Sequence, residues 1–247
     1  YLKLRQKIMG VKQLGYEDLY APIVQQVDLQ YTPEQGMQMT LDSFAPLGSE
    51  YVETLRQGYA DRWVDFMPNT GKSPGAYSNT VYGVHPYQLL NFNGAWDDVS
   101  TLAHESGHSM HSFMSSAKQP YATASYSTFV AEVASTLNEN LLLHHLLEQT
   151  KDDRTRLFLL SSYLKIHELV ERGEPLTADS LNALYLGLLR QYYGHNAGVV
   201  QVDELYGAEW AFIPHFYRNF YVYQYATSMI GGMSLADGMI GKDAVKS

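Results

Sequence analysis

The segment TLAHESGHSMHSF, residues 101–113, sets the strictest condition on any fold this chain can adopt. It places three histidines and a glutamate within the eight positions from His104 to His111. On a helix, His104 and His108 stand one turn apart on one face, close enough for both imidazoles to reach a single ion. Glu105 lies beside that face, where a carboxylate can touch a metal-bound water without ligating the metal. This is the His-Glu-x-x-His pattern, in which the histidine pair holds zinc and the glutamate is the general base. Gly107 falls inside the same helix, where glycine costs about 1 kcal/mol relative to alanine. Its presence there predicts close approach by a neighbouring segment.

A catalytic zinc takes a third protein ligand and keeps one position open. The chain has no cysteine, so that ligand must come from His, Asp or Glu. The following segment FVAEVASTLNE offers Glu132, 24 residues after His108. An antiparallel helix, reached through a loop of about a dozen residues, can return that carboxylate to the histidine face. Glu139, seven residues further along the same face, is a second candidate. His111, three residues beyond His108, is a third, as a ligand or as a partner behind the ligands. Ligand chemistry fixes residue types and not spacing, so all three stay open on this reading.

Composition narrows the rest. With 247 residues, 45% apolar and 17% charged, the chain has the make-up of a folded soluble protein able to bury a substantial core. A net charge of −9 argues against a nucleic-acid or anionic-membrane surface, since both require a basic footprint. No apolar run of about 18 residues is present to span a bilayer, and there is no basic-then-apolar leader. The lack of cysteine suits a reducing cytosol, so a cytoplasmic location is expected. The chain opens on Tyr1 and stops at GKDAVKS, and it reads as a piece of something longer.

Periodicity predicts a mainly helical chain with one small sheet. Pro33 stands just inside a helix start, and Leu55, Tyr59, Trp63 and Phe66 recur at helical spacing. Residues 67–94, rich in Gly, Pro, Ser, Asn and Tyr, read as strands and turns. Helices are expected over 97–115, capped by Asp97 or Ser100, and from Ser125 or Ser127 through the leucine-rich run that follows. Two more are expected at RTRLFLLSSYLKIHELVERG and at TADSLNALYLGLLRQYYG, the latter closed by Gly194. GKSPGAYS lacks the spacing of a phosphate-binding loop and reads as a tight turn into a strand. His144, His145, His167 and His195 have nothing nearby to complete a metal set, and KDDR reads as a solvated turn.

Taken in order, TLAHESGHSMHSF and QPYATASYSTFVAEVASTLNENLLLHHLL closely resemble the thimet oligopeptidase and neurolysin family of zinc metallopeptidases, its oligoendopeptidase F branch in particular. GKSPGAYSNTVYGVHPYQLLNF resembles that family's glycine-rich segment ahead of the zinc helix. HELVERGEPLTADSLNALYLGLLRQYYG and WAFIPHFYRNFYVYQYATSMIGG resemble the segments after it. The resemblance implies a zincin-type catalytic lobe of the neurolysin-like fold, with one Zn²⁺ on His104, His108 and Glu132 and with Glu105 as base. It implies oxyanion donors at His215 and Tyr223, with Tyr217 and Tyr221 behind them, and a substrate-pairing backbone edge at Gly75, Ala76 and Tyr77. Hydrolysis of short unstructured peptides by zinc-activated water is the expected activity. A peptidyl dipeptidase of the same family, or a zinc-binding but inactive fragment, is the alternative. Against the family pattern, an N-terminal helical lobe and an internal helical stretch after about residue 166 are missing, so residues 1–247 are expected to be the catalytic region of a longer protein.

Overall fold

The computed structural model describes residues 1–19, 21, 29–157, 159–160, 178–213 and 223–241. Among them, the helices are α1 (Leu2–Met9), α2 (Pro33–Ser43), α3 (Ser49–Ala60), α4 (Trp96–Lys118), α5 (Thr128–Gln149), α6 (Ala178–Tyr192) and α7 (Tyr223–Gly241). Residues 153–157 and 159–160 are also helical, where the helix beginning RTRLF is expected, and the rest of that segment lies outside the described residues. The strands are short: β1 (Leu14–Gly15), β2 (Val64–Asp65), β3 (Tyr77–Thr80), β4 (Pro86–Leu89) and β5 (Val200–Gln201). The chain is mainly helical, as its periodicity predicts. It divides into two compact units, residues 1–27 with 160–223 and residues 28–159 with 224–247. No helix among the described residues is long and apolar enough to cross a membrane.

The first unit corrects one expectation. A second sheet exists, in which β1 pairs in parallel with β5, Leu14 opposite Val200. Leu14, Tyr16, Leu189, Tyr193, Val200 and Val202 bury one another around it. Two two-residue strands carry no alternation to read, and their partners lie far apart in the chain. The α6 helix ends as expected at Gly194, whose left-handed backbone (φ 67°) breaks the helical path. His195 is structural here, its Nδ1 accepting the Val202 amide at 3.0 Å.

In the second unit, α2 begins with a capping box. Thr32 Oγ1 accepts from the Gln35 amide and Gln35 Oε1 from the Thr32 amide, with Pro33 in the first turn. The helical spacing Leu55, Tyr59, Trp63, Phe66 does not continue as one helix. After Ala60 the chain closes back on itself, Trp63 N–H donating to the Gly58 carbonyl at 3.0 Å and Arg62 N–H to that of Tyr59 at 3.2 Å. Arg62 takes the left-handed position (φ 62°) that glycine usually fills. Trp63 thereby folds onto Gly58, where a Cβ would stand 2.5 Å from the indole.

The three-stranded sheet has the order β2-β4-β3. The β2–β4 pair is parallel, Val64 opposite Gln88, and the β3–β4 pair is antiparallel, Tyr77 opposite Leu89. That leaves β3 at an edge. The face of β4 that carries buried Gln88 meets α4, Gln88 Nε2 donating to Ser109 Oγ at 2.9 Å. Ser78 on β3 reaches the same Ser109 hydroxyl at 2.8 Å. The zinc-motif helix is therefore laid along the sheet with its rotation set by polar contacts as well as by apolar packing.

Candidate metal centre

The α4 helix starts earlier than expected, its cap two residues before Asp97 and five before Ser100. Ala95 is the N-cap, and Asp98 Oδ2 accepts the amides of Ala95 and Asn93, both at 2.9 Å. Asp98 reaches two backbone donors at once from the first turn. The α5 helix starts at its expected cap, Ser127. Between them the contact is at backbone distance. A Cβ on Gly107 would lie 2.7 Å from the Ala134 carbonyl oxygen and 2.7 Å from Ser135 Cα. This is the close approach that a glycine in mid-helix predicts, and it sets Glu132, two residues before Ala134, against the histidine face of α4.

His104 Nε2, His108 Nε2 and Glu132 Oε2 form a triangle with edges of 3.1, 3.4 and 3.4 Å. A tetrahedral zinc about 2.0–2.1 Å from each ligand requires edges of about 3.3–3.4 Å. The three atoms thus have the spacing of one face of a zinc tetrahedron, and they form a group able to hold a metal ion. Glu132 is buried, while His104 and His108 keep 21% and 17% of their side chains exposed, which leaves an approach from one side.

The other two candidates for third ligand stand elsewhere. Glu139 Oε1 bonds His104 Nδ1, behind the triangle. A carboxylate there keeps the proton on Nδ1 and turns the lone pair of Nε2 toward the ion site, the usual arrangement behind a metal-bound imidazole. His111 stacks on Tyr126, ring centroids 3.7 Å apart, and its buried Nδ1 has no hydrogen-bond partner among the described residues. The i+3 spacing places His111 along the helix face but leaves it one turn past the convergence point.

Charge in the cluster favours a cation. Burial would lower the His104 pKa, but Glu139, Glu105 and Glu132 outweigh it and raise the pKa to about 9. Burial pushes the Glu132 carboxyl up, yet the His108 hydrogen bond, the charge of His104 and the Ser135 hydroxyl bring it down to about 2. Glu105 moves the other way. Its burial raises the carboxyl above the ordinary range against the pull of His104 and His108, and the neighbouring Glu132 and Glu139 add to the rise. Glu105 Oε2 is buried and accepts no hydrogen bond from any described residue. An uncommitted carboxylate oxygen with raised basicity, next to a cation site, is suited to take a proton from water.

Polar contacts around and between the two helices hold this geometry, and sequence reasoning did not find them. Tyr59 OH bonds Ser106 Oγ at 2.8 Å. Asn138 Nδ2 donates to Tyr51 OH at 3.0 Å and reaches the Ala103 carbonyl at 3.4 Å. Ser106 and Ser109 sit in a helix at positions that bury, which is the one signal the sequence offers for them.

The remaining predicted residues divide cleanly. Gly75, with φ 85°, leads into β3, and its carbonyl accepts Asn91 Nδ2 at 2.8 Å. Ala76 follows, and Tyr77 begins the edge strand, 51% exposed. His215, Tyr217 and Tyr221 lie outside the described residues, as does His167; Tyr223 opens α7, but its side chain is likewise outside them. His144 lies 3.6 Å from Asp237, and His145 bonds Gln149, both away from the triangle. KDDR is exposed as expected but is not a turn: Asp153 and Arg154 are already helical, and Asp152 caps that helix by accepting the Thr155 amide at 2.9 Å.

Residues 16–165 match peptidase family M3. The chain is 40% identical over 265 residues to oligopeptidase PepF of Bacillus subtilis, covering 99% of this chain and 39% of that protein. It is 39% identical over 258 residues to an oligoendopeptidase F homolog of Lactococcus lactis, covering 97% and 42%. A solved structure of oligoendopeptidase F from Enterococcus faecium superposes with a TM-score of 0.59 at 29% identity, covering 98% of this chain and 39% of that one. A solved structure described only as a peptidase, from Chlamydophila abortus, gives 0.77 at 38% identity, covering 99% of this chain and 44% of that one. The chain therefore spans about two-fifths of the length of these relatives.

Proposed function

The chain belongs to peptidase family M3, and from that premise we propose that it is the zinc-bearing part of an endopeptidase that hydrolyses short, unstructured peptides. The observation that carries this reading is the ligand triangle of 3.1, 3.4 and 3.4 Å with the uncommitted, buried Oε2 of Glu105 beside it. His104, His108 and Glu132 would hold the ion. Zinc bound there supplies a Lewis acid that polarises the scissile carbonyl and lowers the pKa of a water toward neutrality.

The chain's own residues do the rest. Glu139 holds the Nδ1 proton of His104 and so presents Nε2 as a donor of electrons. Glu105 takes the proton of the attacking water and delivers it to the leaving amine, a task its burial-raised basicity favours. The free side of β3, entered through Gly75, Ala76 and Tyr77, pairs with an extended peptide by backbone hydrogen bonds. His215 and Tyr223, with Tyr217 and Tyr221 near them in sequence, would donate to the developing oxyanion.

Elemental analysis and a quenched fluorescent peptide of about ten residues test this together. One zinc per chain is expected. It should be lost with Glu132→Ala and kept with Glu105→Gln, while hydrolysis disappears in both. Loss of zinc with His111→Ala but not with Glu132→Ala would make the ligand set wrong. Wild-type turnover by Glu105→Gln would remove the base assignment.

A further inference from the structure

A cavity of about 250 Å³ opens one turn from the candidate metal centre, between the chain entering β3, the end of β4 and the start of α4. Its apolar wall is Leu90 and Phe92, both 2% exposed, with Ala76 opposite. Phe92 is backed by Phe66, its ring edge-on at 6.0 Å, and by Gly36, where an added Cβ would stand 3.4 Å from the Phe92 ring. The polar lining comes from Asn91, Asp98 and Thr101.

The hydrogen-bonding capacity of those three residues has one sign. Asn91 Nδ2 donates to the carbonyls of Ser73 and Gly75, at 3.0 and 2.8 Å. Thr101 donates its hydroxyl proton to the Asp97 carbonyl at 2.7 Å. Both side-chain donor groups are thus already engaged within the protein. Among the described residues, what stays uncommitted on these side chains is acceptor: Asn91 Oδ1, the Thr101 lone pairs, and Asp98 Oδ1, whose partner Oδ2 already accepts two amides. A pocket with an apolar wall, a carboxylate and polar side chains that have only acceptors to spare fits a side chain with an apolar stem and a donor-only cationic tip.

Position says where that side chain comes from. Thr101 precedes His104 by three residues and Glu105 by four, so it shares their face of α4. Gly75 and Ala76 line the cavity and lead into the edge strand. A peptide lying along that edge can turn a side chain into the cavity while its backbone runs past the centre. We propose that this cavity is a specificity pocket for a lysine or arginine side chain of the bound peptide. The assignment rests on the peptidase reading for the peptide itself, but the preference for a basic group comes from the lining alone.

Binding of N-acetyl-lysine methylamide and its norleucine analogue to the zinc-loaded chain, followed by ligand-observed NMR, tests this without relying on turnover. The two probes have stems of similar size, and only lysine carries the ammonium. Lysine is expected to bind at least tenfold more tightly. Asp98→Asn keeps a carbonyl oxygen for the two capping amides but puts a donor where the spare acceptor was, and should bring the ratio below threefold. Thr101→Leu fills the cavity from α4 and should do the same. The second variant also separates the pocket from general attraction of cations to a chain of net charge −9. Equal binding of the two probes, or a lysine advantage that survives Thr101→Leu, overturns the proposal. A chain that shows the lysine advantage but cleaves no peptide defeats the peptidase reading and leaves the pocket standing. Cleavage with no preference for basic residues at any position defeats the pocket alone.

Discussion

Replacing Gly107 by alanine should weaken zinc binding without touching a ligand. The added Cβ would lie 2.7 Å from the Ala134 carbonyl oxygen and 2.7 Å from Ser135 Cα, where ordinary contact begins at 3.4 Å. The shortfall is 3.4 − 2.7, about 0.7 Å, and both obstacles are backbone, so no side-chain rotation relieves it. The α5 helix must retreat from α4, and Glu132 retreats with it. If the retreat passes fully to the ligands, the 3.4 Å edges from Glu132 to the histidines stretch to about 4.1 Å, beyond the span of about 3.3–3.4 Å that a tetrahedral zinc can close. Overpacking of this kind costs about 1–3 kcal/mol, and the better helix propensity of alanine offsets about 1 kcal/mol of it. The metal-free protein should therefore lose up to about 2 kcal/mol and still fold. Zinc affinity should fall at least about tenfold, or 1.4 kcal/mol, read by competition with a chromophoric chelator alongside melting curves. Gly187→Ala is the control. It lies in α6 with nothing within 4 Å of the added carbon, and should raise stability by about 0.4–1 kcal/mol with no effect on zinc. A Gly107→Ala protein that binds zinc within twofold of wild type would refute the claim that close helix contact positions Glu132.

Further outcomes follow from the same cluster. Glu139→Gln should lower zinc affinity by about 10- to 100-fold through loss of orientation of His104, measured by the same competition; unchanged affinity would make that contact incidental. Tyr223→Phe should lower kcat by about 10²- to 10³-fold at constant KM if its hydroxyl meets the oxyanion, whereas a raised KM with normal kcat would make it a binding residue. Melting of the chelator-treated protein should depend on pH on both sides of neutrality. His104, raised from 6.5 to about 9, contributes stability that is full below 6.5 and is lost as pH climbs through 9. Glu132, lowered from 4.5 to about 2, contributes stability present above 4.5 that is lost as pH falls through 2. His104→Gln should flatten the alkaline limb, and an unchanged limb would show that another group causes it.

Sequence by itself determined what depends on neighbours along the chain. The i, i+4 pairing of His104 with His108, the place of Glu105 beside them, the Ser127 cap and the stop at Gly194 all follow from local helical geometry, and all stand in the structure. Gly107 even marked where a second helix comes close. Which acidic residue that helix presents was another matter. Glu132 and Glu139 lie seven residues apart, two turns of one face, and nothing local distinguishes the one that enters the triangle from the one that bonds the back of His104. The backbone contact at Ala134 and Ser135 made that choice, because it sets the register between α4 and α5. The break after Ala60 was equally hidden, since an arginine in the left-handed position is held there by the closure of the chain and the seating of Trp63 on Gly58. The β1–β5 pair joins Leu14 to Val200, 186 positions along the chain, so only the folded core of Tyr16, Tyr193 and Val202 could bring them together.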